Sequence, residues 1–257
     1  MTSHASTLVD QPQGDYRFLP GIIPFSSGVV ARTGFEIVHA TLARPVPWRR
    51  GFDFIAGHLA RLGRPRQALC AIELRSPTQF TFQGFDEFNL GYRALLESWG
   101  LLVNGANPVA RTNVVPVVRP PAEPSLYAFS YTVPGGSREP SFVSAGAGEI
   151  RPGTAGPPGI VRRGETSASA LREKAAVVMD VMATRLKGLG GDWGDVSVID
   201  VYTAYDVTPL LPDLGERVGL ASIHGIHLYP SRPPIVELEF EVDLRGLRSE
   251  LHLDPEA

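Results

Sequence analysis

The chain has 257 residues, 43% hydrophobic and 20% charged, with a net charge of −3, which suits a globular protein of one large or two ordinary domains. No stripe of Lys or Arg is present, so a nucleic-acid or membrane-surface partner has no electrostatic basis. No apolar run approaches the roughly 20 residues that span a bilayer, and the opening "MTSHASTLVDQPQGD" lacks the basic and apolar regions of a secretory signal.

Residues 1–15 read as a loose N-terminal arm. "YRFLPGIIPF" and "SGVVA" follow as short β-like pieces broken by Pro and Gly. "GFDFIAGHLARLG" carries Phe54, Ile55, Leu59 and Leu62 as a helical stripe closed by Gly63. "ALCAIELR" is a buried strand; it holds the single cysteine, Cys70, expected to pack in the core. One cysteine permits no intrachain disulfide, which points to a reducing compartment, the cytoplasm. "GFDEFNLGYRALLESWG" is an amphipathic helix, with Phe85, Phe88, Tyr92, Leu95 and Trp99 on one face and Gly100 as its stop. "NPVARTNVVP" and "SLYAFSYTV" are β-like. "VPGGSREP" then supplies a linker at 135–140.

Beyond it the order repeats. "SFVSAGAGEI" is a strand, Ser169 to Leu186 a helix, "DVSVIDVYTAYDV" a strand, and "TPLLPDLGERVG" a loop or short helix. "IHGIHLYP" and "IVELEFEVDL" close the chain as a strand pair. Two units of about 110–120 residues, at 16–134 and 141–257, suggest an internal duplication. Each is expected to be an α+β layer, a sheet with helices packed on one face.

Chemistry-bearing residues are few. Arg111 stands in a run that otherwise reads as a buried strand, where an unpaired charge costs several kcal/mol. Either it ends the strand with its head in water, or it waits in a cleft for an anion, whose carboxylate its planar fork would meet with two parallel hydrogen bonds. Lys174 and Lys187 are the only lysines, both near the edges of a helix's apolar stripe, which argues against Schiff-base chemistry. Glu237 and Glu239 alternate with Val236, Leu238 and Phe240, placing both carboxylates on one sheet face. His224 and His227 would point to opposite faces of a regular strand, so they are not paired metal ligands, although either could be a general base. "GEIRPGTAGPPG" lacks the lysine and spacing of a phosphate loop, and no nucleophile elbow or Ser-His-Asp order occurs.

At these residues the chain resembles the Rid (YjgF-type) family. "FVSAGAGEI", the long helix, "DVSVIDVYTAYDV" and "VELE" follow the family's order, and "FNLGYRALLESWG" with "PVARTNVV" resembles it again in the first half. The resemblance implies two tandem chorismate-mutase-like domains, each a mixed sheet with helices on one face. It further implies homo-oligomers, a trimer favoured, with clefts between subunits. It also implies hydrolysis of small enamine or imine carboxylates to the 2-oxo acid and ammonia, with no metal or organic cofactor. Arg111 falls at the family's carboxylate-gripping arginine and Asn89 at its cleft asparagine. Tyr127 stands where the first half would carry the family's glutamate. Glu237 matches that glutamate in the second half, where Ala221 or a neighbour replaces the arginine. The expected function is deamination of a 2-aminomuconate-type or 2-aminoacrylate-type substrate. Arg111 would bind it, with Asn89 and Tyr127 lining the cleft, and Glu237, His224 or His227 would move protons. A chorismatase-like hydrolase or lyase, or a non-catalytic small-molecule binder, are the other readings.

Overall fold

The computed structural model describes residues 7–136, 139–154 and 156–256. Residues 1–6 of the expected arm and 137–138 of the expected linker lie outside these. Residues 9–11, expected in the loose arm, instead form a strand, β1 (Val9–Gln11), paired with β2 (Tyr16–Leu19). The buried Gln11 side chain anchors this edge by donating to the carbonyl of Leu101 at 2.8 Å. β3 (Gly28–Ala31) and β4 (Phe35–Pro47) follow. β4 is the longest strand and was not anticipated from the sequence. Its Val38, Ala40 and Leu42 face the helices, while Ile37 and His39 face the other way.

α1 (Trp48–Arg61) buries Trp48, Phe52, Ile55 and Leu59, one residue per turn along a single face. It begins three residues before the predicted stretch and ends before Gly63, whose φ of 65° suits a residue without Cβ. β5 (Leu69–Arg75) is buried throughout. α2 (Phe82–Ser98) starts at Thr81, whose side-chain oxygen accepts from the Gly84 amide at 3.0 Å. β6 (Ala110–Pro116) and β7 (Ser125–Pro134) complete the first half.

The second half runs β8 (Phe142–Gly148), α3 (Ala168–Leu189), β9 (Val198–Thr203), α4 (Leu211–Val218), β10 (His227–Arg232), β11 (Phe240–Gly246) and β12 (Ser249–Leu253). α3 is capped by Ser167 and closed by Gly190 in the left-handed region. Its stripe of Leu171, Ala175, Val178, Met182, Leu186 and Leu189 packs on β8, β9 and β11.

All twelve strands join one mixed sheet in the order β1-β2-β3-β8-β11-β9-β10-β6-β5-β7-β4-β12. Within it the runs β10-β9-β11-β8 and β6-β5-β7-β4 match, each with one parallel pair followed by antiparallel ones. The two ends are crossed over: β3 pairs with β8 of the second half, and β12 pairs in parallel with β4 of the first. α1 and α2 share one core with β4, β5 and β7, and α3 and α4 share another with β9 and β11. Between the two, the inner strand faces meet through Tyr16, Phe18, Cys70, Ala110 and Val143. Cys70 is buried there, and burial pushes its thiol up, away from the reactive thiolate. No helix among the described residues is long and apolar enough to cross a membrane.

Two expected strands are shorter than their sequence suggests. "IVELEFEVDL" becomes a strand only at Phe240; Ile235 to Glu239 form a turn in which Glu237 has φ 71°. The backbone there is bonded elsewhere: Val236 donates to Phe80, and the Glu149 carboxylate accepts from the amides of Glu239 (2.7 Å) and Phe240 (3.1 Å). "IHGIHLYP" is likewise broken, with His224 ending a 3-10 turn and Gly225 (φ 81°) separating it from β10.

Glu149 is itself held by Lys174 at 3.0 Å, with both side chains fully buried. Lys174 is thus a core residue, and burial raises the Glu149 carboxyl against the lowering effect of Lys174. Removing one partner of such a pair strands the other charge. Lys174→Met is expected to lower the unfolding free energy by about 3–5 kcal/mol in urea titration, whereas the exposed Lys187→Met stays within about 0.5 kcal/mol.

Candidate active site

Arg111 lies on β6 with only 2% of its surface exposed. Alternation along β6 turns Ala110 and Thr112 toward the inner face and Arg111 toward α2, where Asn89 accepts from its Nη2 at 2.8 Å. Its guanidinium carbon sits 4.7 Å from the ring centre of Tyr92, 4.8 Å from Phe25, 5.3 Å from Phe85 and 5.8 Å from Phe88. Each such face offsets about 0.5–2 kcal/mol of the cost of taking the cation out of water. No ring accepts a directed hydrogen bond as an oxygen would, and Nη1 is buried without a partner. The Tyr92 hydroxyl beside it is buried and unpartnered too. Burial lowers the Arg111 pKa to about 10, still cationic at neutral pH. Two orphaned donors at one buried spot fit an anion that accepts from both.

The carboxyl whose charge Arg111 feels is Glu241, on the inner face of β11. Burial, with Asp243 and Glu149 nearby, raises its pKa to about 8, against the opposing pull of Arg185 and Arg111. At neutral pH it is predominantly protonated, the state a general acid needs. Its place is made by a bulge in β8: Val242 pairs with Ala147 but Leu244 with Ser144, leaving Ala145 and Gly146 outside the ladder. The Gly146 amide donates to Thr112 Oγ1 at 3.1 Å, tying the bulge to the residue next to Arg111. A Cβ at Gly146 would lie 2.2 Å from Glu241 Oε1 and 3.2 Å from Thr112 Cγ2, so a side chain there would displace the carboxyl. From α3, Arg185 donates to the carbonyls of Ala145 (2.6 Å) and Gly146 (3.4 Å).

The other residues singled out from the sequence are dispersed. Tyr127, on β7, meets Arg75 at 3.9 Å from its ring centre and not Arg111. Glu237 is turned outward onto Arg163 at 2.8 Å, while Arg111 is bonded to Asn89. His224 is exposed on its 3-10 turn, away from any strand. His227 opens β10, exposed, with Nδ1 2.9 Å from Asp200 Oδ1. Ala221 is a core residue of that same 3-10 turn, and the arginine on β10, Arg232, pairs with Glu239 at 3.0 Å. Glu241, Arg185, Phe25 and Gly146 were not anticipated. For Glu241 a signal existed: it continues the every-second-residue alternation of Glu237 and Glu239.

A second polar cluster lies on the inner faces. Glu73, Asp200 and Asp243 bring carboxylate oxygens within 4.8 Å of one another, a spacing that could hold a metal ion. The charge there is already met by Arg245, at 2.8 Å from Glu73, 2.8 Å from Asp200 and 3.4 Å from Asp243. Asp243 also accepts from Thr112 (2.7 Å) and Tyr202 (3.1 Å), and burial with two carboxylate neighbours raises its pKa well above the usual range. Burial and the two arginines push His39 down to about 3, a neutral imidazole. This cluster is a structural clamp between the halves.

Comparison with known proteins places this geometry in context. The chain is 42% identical over 237 residues to a 2-amino-5-chloromuconate deaminase of Comamonas testosteroni, covering 91% of this chain and 94% of that one. Among solved structures, a chorismatase matches with TM-score 0.49 and 14% identity over 86% of this chain and 77% of its own. The YjgF gene product of E. coli matches with TM-score 0.26 and 17% identity over 42% of this chain and 80% of its own. Residues 8–251 match the family described as 2-aminomuconate deaminase CnbZ. On the strength of that match and of the Comamonas relative, the chain belongs to the CnbZ family of 2-aminomuconate deaminases.

Proposed function

We propose that the protein is a hydrolytic deaminase of 2-aminomuconate-type enamine carboxylates, working without metal or organic cofactor. The observation that carries this reading is the buried, unpartnered Arg111 Nη1 beside the unpartnered Tyr92 hydroxyl, next to a carboxyl that keeps its proton at neutral pH. The substrate class follows from the family and from the activity for which the Comamonas relative is named.

In this reading a substrate carboxylate accepts from Arg111 and Tyr92, while Asn89 fixes the guanidinium. Glu241 gives its proton to the vinylic carbon of the enamine, converting C–NH2 to an iminium. The resulting carboxylate removes a proton from water as its oxygen adds to the iminium carbon. The carbinolamine moves its hydroxyl proton to nitrogen, the C–N bond breaks, and ammonia leaves as the carbonyl forms. Glu241 ends as it began, protonated, and the net change is water in, ammonia out. The matching strand orders support reading the chain as two copies of one unit, with the arginine in the first copy and the working glutamate in the second. A homotrimer belongs to the same proposal. Support for assembly comes from Leu220 and Ile223, 83% and 84% exposed on one 3-10 turn.

Ammonia release from 2-aminomuconate generated in situ tests the reaction. Arg111→Met is expected to cut kcat/KM by about 100-fold or more with the circular dichroism spectrum unchanged; undiminished release would remove the assignment. Because the acid form of Glu241 is the active one, kcat/KM should be level below pH 8 and fall as pH rises through about 8. Glu241→Gln should erase that limb together with roughly 100-fold or more of the rate. Gly146→Ala, by displacing the Glu241 carboxyl, is expected to depress kcat more than it raises KM.

A further inference from the structure

Three arginines, Arg75, Arg111 and Arg245, are buried around the junction of the halves, and a fourth, Arg185, lies half-buried beside them. Arg75 and Arg245 are ion-paired, to Glu73 and to Glu73, Asp200 and Asp243. Arg111 and Arg185 form no ion pair among the described residues, although both guanidiniums are desolvated enough to lower their pKa to about 10. Both act on one carboxyl, Glu241, whose protonated state leaves their charges unanswered. They are linked by a short chain of contacts: Arg111 adjoins Thr112, Thr112 Oγ1 takes the Gly146 amide, and the Gly146 carbonyl takes Arg185 Nη1. Arg185 spends only Nη1 on these carbonyls; its Nε and Nη2 have no hydrogen-bond partner among the described residues. Stapling a bulge needs a donor but no fixed positive charge, and a half-buried guanidinium with two nitrogens uncommitted has donors to spare for an anion.

We infer that Arg185 is a second carboxylate-binding residue of the same cleft, taking the far carboxylate of a six-carbon diacid while Arg111 takes the near one. This rests on the deaminase reading for its substrate class, and it makes the protein selective for dicarboxylates over monocarboxylates such as 2-aminoacrylate. Two cations against one near-neutral acid give the site the charge that a dianion cancels. A monocarboxylate would leave one guanidinium desolvated and unmatched, so selectivity arises from the penalty on the wrong substrate as well as from contacts to the right one.

Calorimetric binding of muconate and of its monomethyl ester, which share one carbon skeleton and differ by one charge, tests this. The wild-type protein is expected to bind the diacid at least about tenfold more tightly than the ester. In Arg185→Met that preference should shrink to about threefold or less, chiefly through weaker diacid binding, and Arg185→Lys should restore part of it. No wild-type preference, a preference that survives Arg185→Met, or equal weakening of both ligands would overturn the inference, the last by showing that Arg185 only shapes the bulge. Ammonia release is scored separately. Release without diacid preference keeps the deaminase and removes the Arg185 subsite. Preference without release keeps the subsite and removes the reaction.

Discussion

The guanidinium of Arg245, shared by Glu73, Asp200 and Asp243, is the constraint on which the junction depends. It draws carboxylates from β5, β9 and β11 to one point, so the two half-sheets meet at fixed register and not as sliding apolar faces. Such clusters rarely add net stability over a packed hydrophobic core. Their use is to specify one arrangement, because any slip would strand several charges at once. The cluster sets three carboxyl groups against two arginines, and burial beside Glu73 and Asp200 raises Asp243 well above the usual carboxylate range. Asp243 stands two residues from Glu241 on the same face of β11, and its nearness adds to the burial that raises the Glu241 carboxyl.

The surroundings of Arg111 follow the opposite principle. There the cations outnumber the ionised acids, and aromatic faces cover the guanidinium without satisfying its hydrogen-bonding capacity. The bulge in β8, tied to Thr112 on one side and Arg185 on the other, gives Glu241 the space it needs between these charges. Clamp and proposed site thus use the same residue types on neighbouring strands, one with its charges matched and the other without.

Much of the fold was legible because most strands and helices obey their local periods. β4 escaped because Glu36, His39 and Arg44 interrupt its apolar run, and its inner face is polar by necessity where it meets the junction cluster. Arg111 was legible as a charge within a β-branched run, and Asn89 through the resemblance of its helix to the Rid family; that the two are bonded was not. The choice among Glu237, Glu239 and Glu241 was not legible. Residues two apart in a strand share a face, and sequence alone cannot tell where a strand begins when the preceding turn is built from long-range bonds to Phe80 and Glu149. Nor was Arg185 legible: an arginine on a long helix is ordinary, and only the chain's folding back onto β8 gives it carbonyls to hold.

The crossing of the termini reaches further. β1–β3 extend the second half's sheet, and β12 completes the edge of the first. Neither half therefore possesses all the strands of its own sheet, and neither can be exchanged for a homologous segment without its counterpart. The first and last strands to leave the ribosome must therefore both be in place before either half-sheet is closed, so neither half can finish folding ahead of the other.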